Sequence, residues 1–171
     1  RRIDNENNVK LLVDIKNCGQ RSKGIIQNLL TFSRQDSYTF EPVSIQEIIK
    51  SSLSLVSYQI EKNNINIVQE HIQPLPPIMG NKQQLEQVII NLLLNAKDCL
   101  ENLDHAMIRI STQLKEDPET GFPSIYVNVE DNGPGIPQDI INQNFNPYFS
   151  TKEISKGTGL GLSVSLGIAQ T

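Results

Sequence analysis

Residues 85–100 read LEQVIINLLLNAKDCL, and this stretch decides the fold. Leu85, Val88, Ile89, Leu92, Ala96 and Cys99 recur at helical spacing, which predicts a helix from about Lys82 to Leu103 with those residues on its inner face. Two carboxamides stand out in so apolar a segment. Asn91 and Asn95 lie one turn apart and Asp98 continues their face. Asn is a poor choice for a helix interior because its side chain competes for backbone groups. Such a stripe can face solvent. It can equally offer oxygen to a hard cation such as Mg²⁺, which takes carboxamide or carboxylate alongside phosphate and water.

Upstream, Ser44 and Glu47 form a capping box for a helix whose buried face is Ile45, Ile48, Ile49, Leu53, Val56 and Ile60. Asn63-Asn64 breaks it, Ile65 and Ile67 alternate as a short strand, and Pro74, Pro76 and Pro77 force an extended path into Ile78 and Met79. Downstream, Ile108 and Ile110 mark one strand, and Ile125, Val127 and Val129 a second. Asp117-Pro118 and Gly121 between them predict an antiparallel hairpin. Leu160 to Ala169 reads as a terminal helix.

At the other end, Leu11, Ile15, Cys18, Ser22, Ile25, Leu29 and Phe32 alternate steps of four and three, the seam of a coiled coil or helical bundle. A helix packed on its own domain would also be amphipathic, but so narrow and sustained a repeat favours the bundle. The polar stretch from Ser33 to Pro42 marks a linker, which divides the chain into a partial helical segment, 1–36, and a domain, 37–171.

The chain has 171 residues, enough for one compact domain with an appendage. A formal net charge of -4 gives no bulk attraction to nucleic acid or an anionic membrane, so a polyphosphate must be held by local dipoles and a metal. Cys18 and Cys99 lack CxxC spacing, which disfavours a disulfide scaffold or zinc site and fits a reducing compartment. No apolar run approaches the roughly 20 residues of a membrane span, and no signal peptide is visible. Beginning at Arg1 and stopping at Thr171 inside an apolar segment, the chain reads as a piece of a larger protein.

Three further stretches carry chemistry. Asp131-Asn132-Gly133-Pro134-Gly135-Ile136-Pro137 follows the Val127 and Val129 strand, putting a carboxylate at a strand end before a turn whose glycines allow close backbone approach to a flat ligand. An ordinary Asx turn has the same composition. Phe145-Asn146-Pro147-Tyr148-Phe149-Ser150-Thr151-Lys152 comes next, and Gly157-Thr158-Gly159-Leu160-Gly161-Leu162 opens the last helix. Backbone N–H groups and the helix dipole make an anion cradle there, with Lys152 as a nearby point charge. The spacing matches neither a Walker A loop nor a dinucleotide fingerprint, and no HRD or DFG element appears.

Taken in order, these stretches resemble the ATP-binding domain of sensor histidine kinases, in the superfamily shared with gyrase, MutL and the heat-shock chaperone ATPases. Leu85–Leu100 resembles its N box, Asp131–Pro137 its first glycine box, Phe145–Lys152 its F box and Gly157–Leu162 its second glycine box. Ile25 to Arg34 resembles the end of the second helix of the dimerisation and phosphotransfer hairpin.

The resemblance implies a Bergerat-type α/β fold: a two-layer sandwich of helices on a mixed, mostly antiparallel sheet, preceded by a long bundle-type helix and lacking the final strand. It implies ATP and Mg²⁺ as cofactors, with Asn91, Asn95 and Lys152 in catalytic roles and Asn95 on the metal. Nucleotide contacts would come from Asn95, Asp98, Asp131, Gly133, Gly135, Ile136, Phe149 and Thr151, and from a mobile lid of Gly157, Thr158, Gly159, Leu160, Gly161 and Leu162. Implied partners are a phosphoacceptor histidine on an absent helix, a response-regulator receiver domain and a second copy in a full-length homodimer, with no nucleic acid.

A cytoplasmic domain follows, the membrane anchoring of the parent being open. Asn81 and Ser155 depart from the pattern, standing for an Asp and a lid glycine. Neither His71 nor His105 sits in a phosphoacceptor motif, so the chain is expected to bind nucleotide without phosphorylating itself. Two other readings stay open: a hydrolytic ATPase of the wider superfamily, disfavoured because Asn91 stands where a water-activating Glu is needed, and a nucleotide-binding regulatory or dimerisation module without catalysis.

Overall fold

The computed structural model describes residues 8–16, 18–19, 39–71, 74–152 and 158–170. Residues 8–16 and 18–19 are helical, with Leu11 and Ile15 exposed. The later seam positions from Ser22 to Phe32, most of the expected linker, Ser155 and Gly157 lie outside the described residues.

From Thr39 onward the order is β1 (Glu41–Val43), α1 (Ile45–Lys62), β2 (Asn66–His71), β3 (Ile78–Gly80), α2 (Lys82–Cys99), β4 (Met107–Glu116), β5 (Pro123–Asp131), a single 3₁₀ turn (Ile141–Gln143) and α3 (Gly161–Ala169). Both long helices begin where side-chain chemistry allows. Ser44 Oγ accepts the Glu47 N–H at 3.4 Å, and Asn81 Oδ1 accepts the Gln84 N–H at 3.0 Å, each satisfying an otherwise orphaned donor.

The main sheet has the order β2-β4-β5. β2 runs parallel to β4, and β4 pairs antiparallel with β5 in the expected hairpin, from Ile108 opposite Asp131 to Glu116 opposite Pro123. That register decides the site. Partners across a ladder share a face, and Ile108 is fully buried, so Asp131 ends its strand on the side the helices cover. The fold is the expected mixed α/β sandwich.

The core joins Ile48, Ile49, Val56 and Ile60 of α1, Ile89, Leu93 and Ala96 of α2 with the Leu100 that follows it, and Ile108 and Ile110 of β4. Complete burial of a side chain such as Ile49 or Leu93 contributes about 1.5–3 kcal/mol. Ser52 is also fully buried in α1. Its hydroxyl donates to the Glu86 carbonyl at 3.4 Å, so a small polar residue lets the two helices close without an orphaned group.

Three local expectations change. α2 ends at Cys99 rather than Leu103, because the Leu100 N–H closes the last turn onto Ala96 and Lys97 and the chain then turns through Asn102 and His105 at positive φ. Its buried stripe is Ile89, Leu93, Ala96 and Leu100; Leu85, Val88 and Leu92 are half-buried, and Cys99 is exposed. β1 was expected to be linker up to Pro42, yet it pairs antiparallel with β3, Glu41 opposite Gly80. Three residues carry no periodic signature, and the strand exists only because β3 lies alongside. No helix among the described residues is long and apolar enough to cross a membrane.

Candidate functional site

Asn91, Asn95 and Asp98 form a half-buried stripe on α2 displaced from the buried Ile89–Leu93–Ala96 stripe by two residues, about 200° around the axis. They face away from the sheet-side core, toward the segments that follow β5. The Asn91 carboxamide is fully engaged. Its Nδ2 donates to the Gly161 carbonyl at 3.0 Å and to Ser165 Oγ at 3.1 Å, while its Oδ1 accepts from Gln87 Nε2 at 2.9 Å. Ser165, the buried residue of α3, donates in turn to the Gly161 carbonyl at 2.9 Å. One helical Asn therefore fixes the first turn of α3 against α2. One turn on, Asn95 is half-buried and its carboxamide has no hydrogen-bond partner among the described residues.

Asp98 is pinned between two cations. Lys152 Nζ, from the 145–152 segment, lies 2.7 Å from its Oδ2, and Lys97 Nζ lies 2.8 Å from its Oδ1. Burial alone would raise the Asp98 carboxyl, but the Lys152 and Lys97 ammoniums outweigh it and hold the group below its ordinary range. Cys99 shares this neighbourhood. Although Cys99 is exposed as a residue, the partial burial of its thiol pushes it up, Asp131 and Asp98 add to the effect, and Lys152 opposes it. A single thiol thus feels the strand-end carboxylate, the helix carboxylate and the loop ammonium together.

Asp131 itself is exposed, and its Oδ1 accepts the Gly133 N–H at 2.9 Å. A Cβ at Gly133 would meet Asp131 Oδ1 at 2.7 Å, so the carboxylate would have to turn aside, and would touch Cys99 Cβ at 3.5 Å. The turn is packed against the end of α2 on one side and its own carboxylate on the other. Gly135 and Ile136 continue it as exposed residues.

The last two stretches meet through backbone. Tyr148 N–H donates to the Gly159 carbonyl at 2.8 Å, and Gly159, at φ +66°, leaves no space for a Cβ, which would lie 2.5 Å from the Tyr148 carbonyl carbon. Phe149 is half-buried and Thr151 exposed. Thr158 Oγ1 accepts the Leu160 N–H at 3.4 Å, Leu160 caps α3, and Gly161 and Leu162 form its first turn, half-buried against α2. The N-terminal N–H groups of α3 and its dipole then lie beside Asn91.

Of the residues singled out from sequence, the structure brings together Asp98 with Lys152, Asp131 with Gly133, Asn91 with Gly161, and Gly159 with the backbone of Tyr148 and Phe149. No hydrogen bond among the described residues ties Ile136 or Thr151 to that set. Sequence reasoning did not single out Asn132, Gln87, Ser165 or Lys97 as site residues. The Gln87 and Asn91 spacing was a legible signal; the partners of Asn132 and Ser165 lie far along the chain and were not. Two open grooves, about 440 Å³ between α1 and β2 and about 500 Å³ beside Pro77, Leu114 and Ile125, contain none of the expected site residues.

Residues 80–171 match the family model described as histidine kinase-, DNA gyrase B-, and HSP90-like ATPase. The sensor kinase CckA of Brucella abortus is 31% identical over 166 residues, which is 92% of this chain and 17% of that protein. The sensor histidine kinase ZraS of Salmonella typhi is 33% identical over 88% of this chain and 30% of its own length. Curated relatives of this kind are thus spanned over less than a third of their length. Among solved structures, the catalytic domain of histidine kinase ThkA superposes with a TM-score of 0.63 at 30% identity, covering 75% of this chain and 78% of that one.

Proposed function

The chain belongs to the family of histidine kinase-, DNA gyrase B- and HSP90-like ATPases, and from that premise we propose that it is the ATP-binding, phosphoryl-donating half of a protein-histidine kinase in a two-component signalling system. The observation that supports the site is the convergence on one helix, α2: Lys152 of the 145–152 segment lies 2.7 Å from Asp98, the turn after Asp131 packs against Cys99, and Asn91 bonds the Gly161 carbonyl at the start of α3.

In this reading Asp131 accepts a hydrogen bond from the adenine amino group. Its Oδ1 already takes the Gly133 N–H, which leaves Oδ2 for the base. Guanine would set a carbonyl oxygen against that carboxylate, a mismatch costing about 1–3 kcal/mol. Gly133, Gly135 and Ile136 shape the base end, with Phe149 and Thr151 along the segment that covers it. Thr158 through Leu162, with Gly157 before them, supply the phosphate rim, where the N–H groups of α3 meet anionic oxygens.

Lys152, tethered by Asp98, adds positive charge at the C-terminal end of the same α2 stripe. Asn95 would hold Mg²⁺: its carboxamide is unpartnered among the described residues, and one oxygen ligand suits an ion that keeps phosphate and water in its remaining positions. The ion supplies charge neutralisation of the phosphates. Asn91 holds the α3 rim in register with Asn95 through its bonds to Gly161 and Ser165. An imidazole nitrogen from another segment then attacks the γ-phosphorus in line and ADP leaves, a step that needs positioning and electrostatics more than acid–base help.

An amide at position 91, committed to α3, cannot deprotonate water, which favours phosphoryl transfer over hydrolysis. The further elements of the proposal are a homodimeric parent joined through the N-terminal helical seam, a cytoplasmic placement of this domain and a receiver domain as the next phosphoryl acceptor. Histidine kinase ThkA has been solved in complex with a response regulator protein, TrrA, at a TM-score of 0.68 and 25% identity to this chain.

The test mixes this chain with a separate hairpin fragment carrying a phosphoacceptor histidine, in γ-labelled ATP and Mg²⁺. Label is expected on the hairpin and on neither His71 nor His105. Rapid phosphate release without label on the hairpin would overturn the kinase reading in favour of hydrolysis.

A further inference from the structure

Asn132 lies beside the base-reading carboxylate and makes three bonds that no site role requires. Its Nδ2 donates to the His105 carbonyl at 2.9 Å, its Oδ1 accepts the Met107 N–H at 2.8 Å, and its own N–H donates to the Met107 carbonyl at 3.2 Å. The side chain thereby continues the β4–β5 ladder by one step beyond Asp131, where the strands have ended.

The loop it grips is under backbone constraint, since Asn102 and His105 both hold left-handed φ values of 66° and 57° without being glycine. His105 in that conformation turns its carbonyl to Asn132 rather than continuing the line of β4. The loop begins at the end of α2, where Cys99 packs under Gly133. Asn132 thus ties the α2–β4 loop and the start of β4 to the residue between Asp131 and Gly133. The residue that follows Asp131 is thereby held, and one oxygen of the Asp131 carboxylate has no hydrogen-bond partner among the described residues.

We infer that Asn132 is a positioning residue for base selectivity: by clamping the His105 and Met107 backbone it aims the free oxygen of Asp131 at the purine amino group. The inference rests on the nucleotide-binding reading above. Asp131 contacts the base alone, so loosening it weakens adenine recognition and leaves the phosphate rim at α3 untouched. A purely structural residue would weaken every nucleotide alike.

The experiment measures ATP and GTP affinities of the whole chain, by competition against a fluorescent ATP analogue, for wild type, Asn132→Ala, Asn132→Gln and Asp131→Asn. The Gln variant retains the amide but not its reach, and decides the matter if the Ala variant does not fold. Both Asn132 variants should lower the ATP-to-GTP affinity ratio about three- to ten-fold, the span of one ordinary hydrogen bond, with GTP affinity unchanged. An unchanged ratio, or equal losses for both nucleotides, would overturn the inference. Independently, the Met107 amide should be protected from hydrogen exchange in wild type and exposed in both variants; fast exchange in wild type removes the clamp. If Asp131→Asn binds ATP as wild type does, the adenine reading itself fails, an outcome separate from any defect of Asn132.

Discussion

Gly159→Ala is the substitution whose cost can be worked most fully from the coordinates. A methyl group at φ +66° occupies the left-handed region, at about 1–2 kcal/mol. It would also sit 2.5 Å from the Tyr148 carbonyl carbon, 2.7 Å from the Tyr148 oxygen and 2.8 Å from the Phe149 oxygen, all backbone atoms that no rotamer change can move. To regain ordinary contact, which begins at 3.4 Å, the Tyr148 carbonyl must retreat by about 0.9 Å.

The Tyr148 N–H is bonded to the Gly159 carbonyl at 2.8 Å, and a shift of that size breaks the bond. The lost hydrogen bond adds about 0.5–1.5 kcal/mol. The total, about 1.5–3.5 kcal/mol, is a roughly 10- to 350-fold loss of the docked arrangement. Because only the 145–152 segment and the start of α3 share this contact, the segment should detach while the sheet and α1 stay folded.

Hydrogen exchange at the Tyr148 amide reads the effect directly, with nucleotide affinity falling in parallel. Gly135→Ala is the control: its φ is +75°, but nothing lies within 4 Å of a Cβ there, so it incurs only the backbone cost. If the Tyr148 amide is as protected in Gly159→Ala as in wild type, or if the two variants behave alike, the close approach of the two loops is wrong.

The remaining expectations concern single groups. Asn91→Ala removes both donors to α3 and should lower stability by about 1–3 kcal/mol in urea melts, with the exchange protection of α3 lost first; an unaltered α3 would refute the latch. Asp98 has its folded-state carboxyl below the unfolded value of 3.8, so its contribution is complete above that value and is lost as pH falls through the lower folded one. Asp98→Asn should therefore flatten the acid limb of a stability–pH curve, and a double-mutant cycle with Lys152→Met should give a coupling of about 1 kcal/mol. Asp131→Asn should weaken ATP binding about tenfold or more and, by removing a charge that raises the Cys99 thiol, speed its alkylation by iodoacetamide at fixed pH. Unchanged alkylation would separate Asp131 from Cys99.

Much of this molecule is legible in one dimension. The capping box at Ser44 and Glu47, the alternation in β4 and β5 and the Asp117–Gly121 turn are local patterns, and local physics suffices for them. The four ordered stretches from Leu85 to Leu162 likewise identify the family before any coordinate. The α2 register was misread at Cys99 because Leu92, Leu93 and Leu94 are equally apolar, and only the sheet beneath selects Leu93 for burial.

What tertiary structure alone decided is every contact that joins distant residues. Lys152 reaches Asp98 across 54 positions, and Asn91 reaches Gly161 across 70. β1 becomes a strand because β3 is beside it, and Asn132 meets His105 across a strand pair. Periodicity reports which face of an element is apolar, but not which polar groups on two elements come within hydrogen-bonding distance. That depends on how the elements pack, and here the packing also makes Asn91 the latch of α3 and the turn residue Asn132 a clamp beside Asp131.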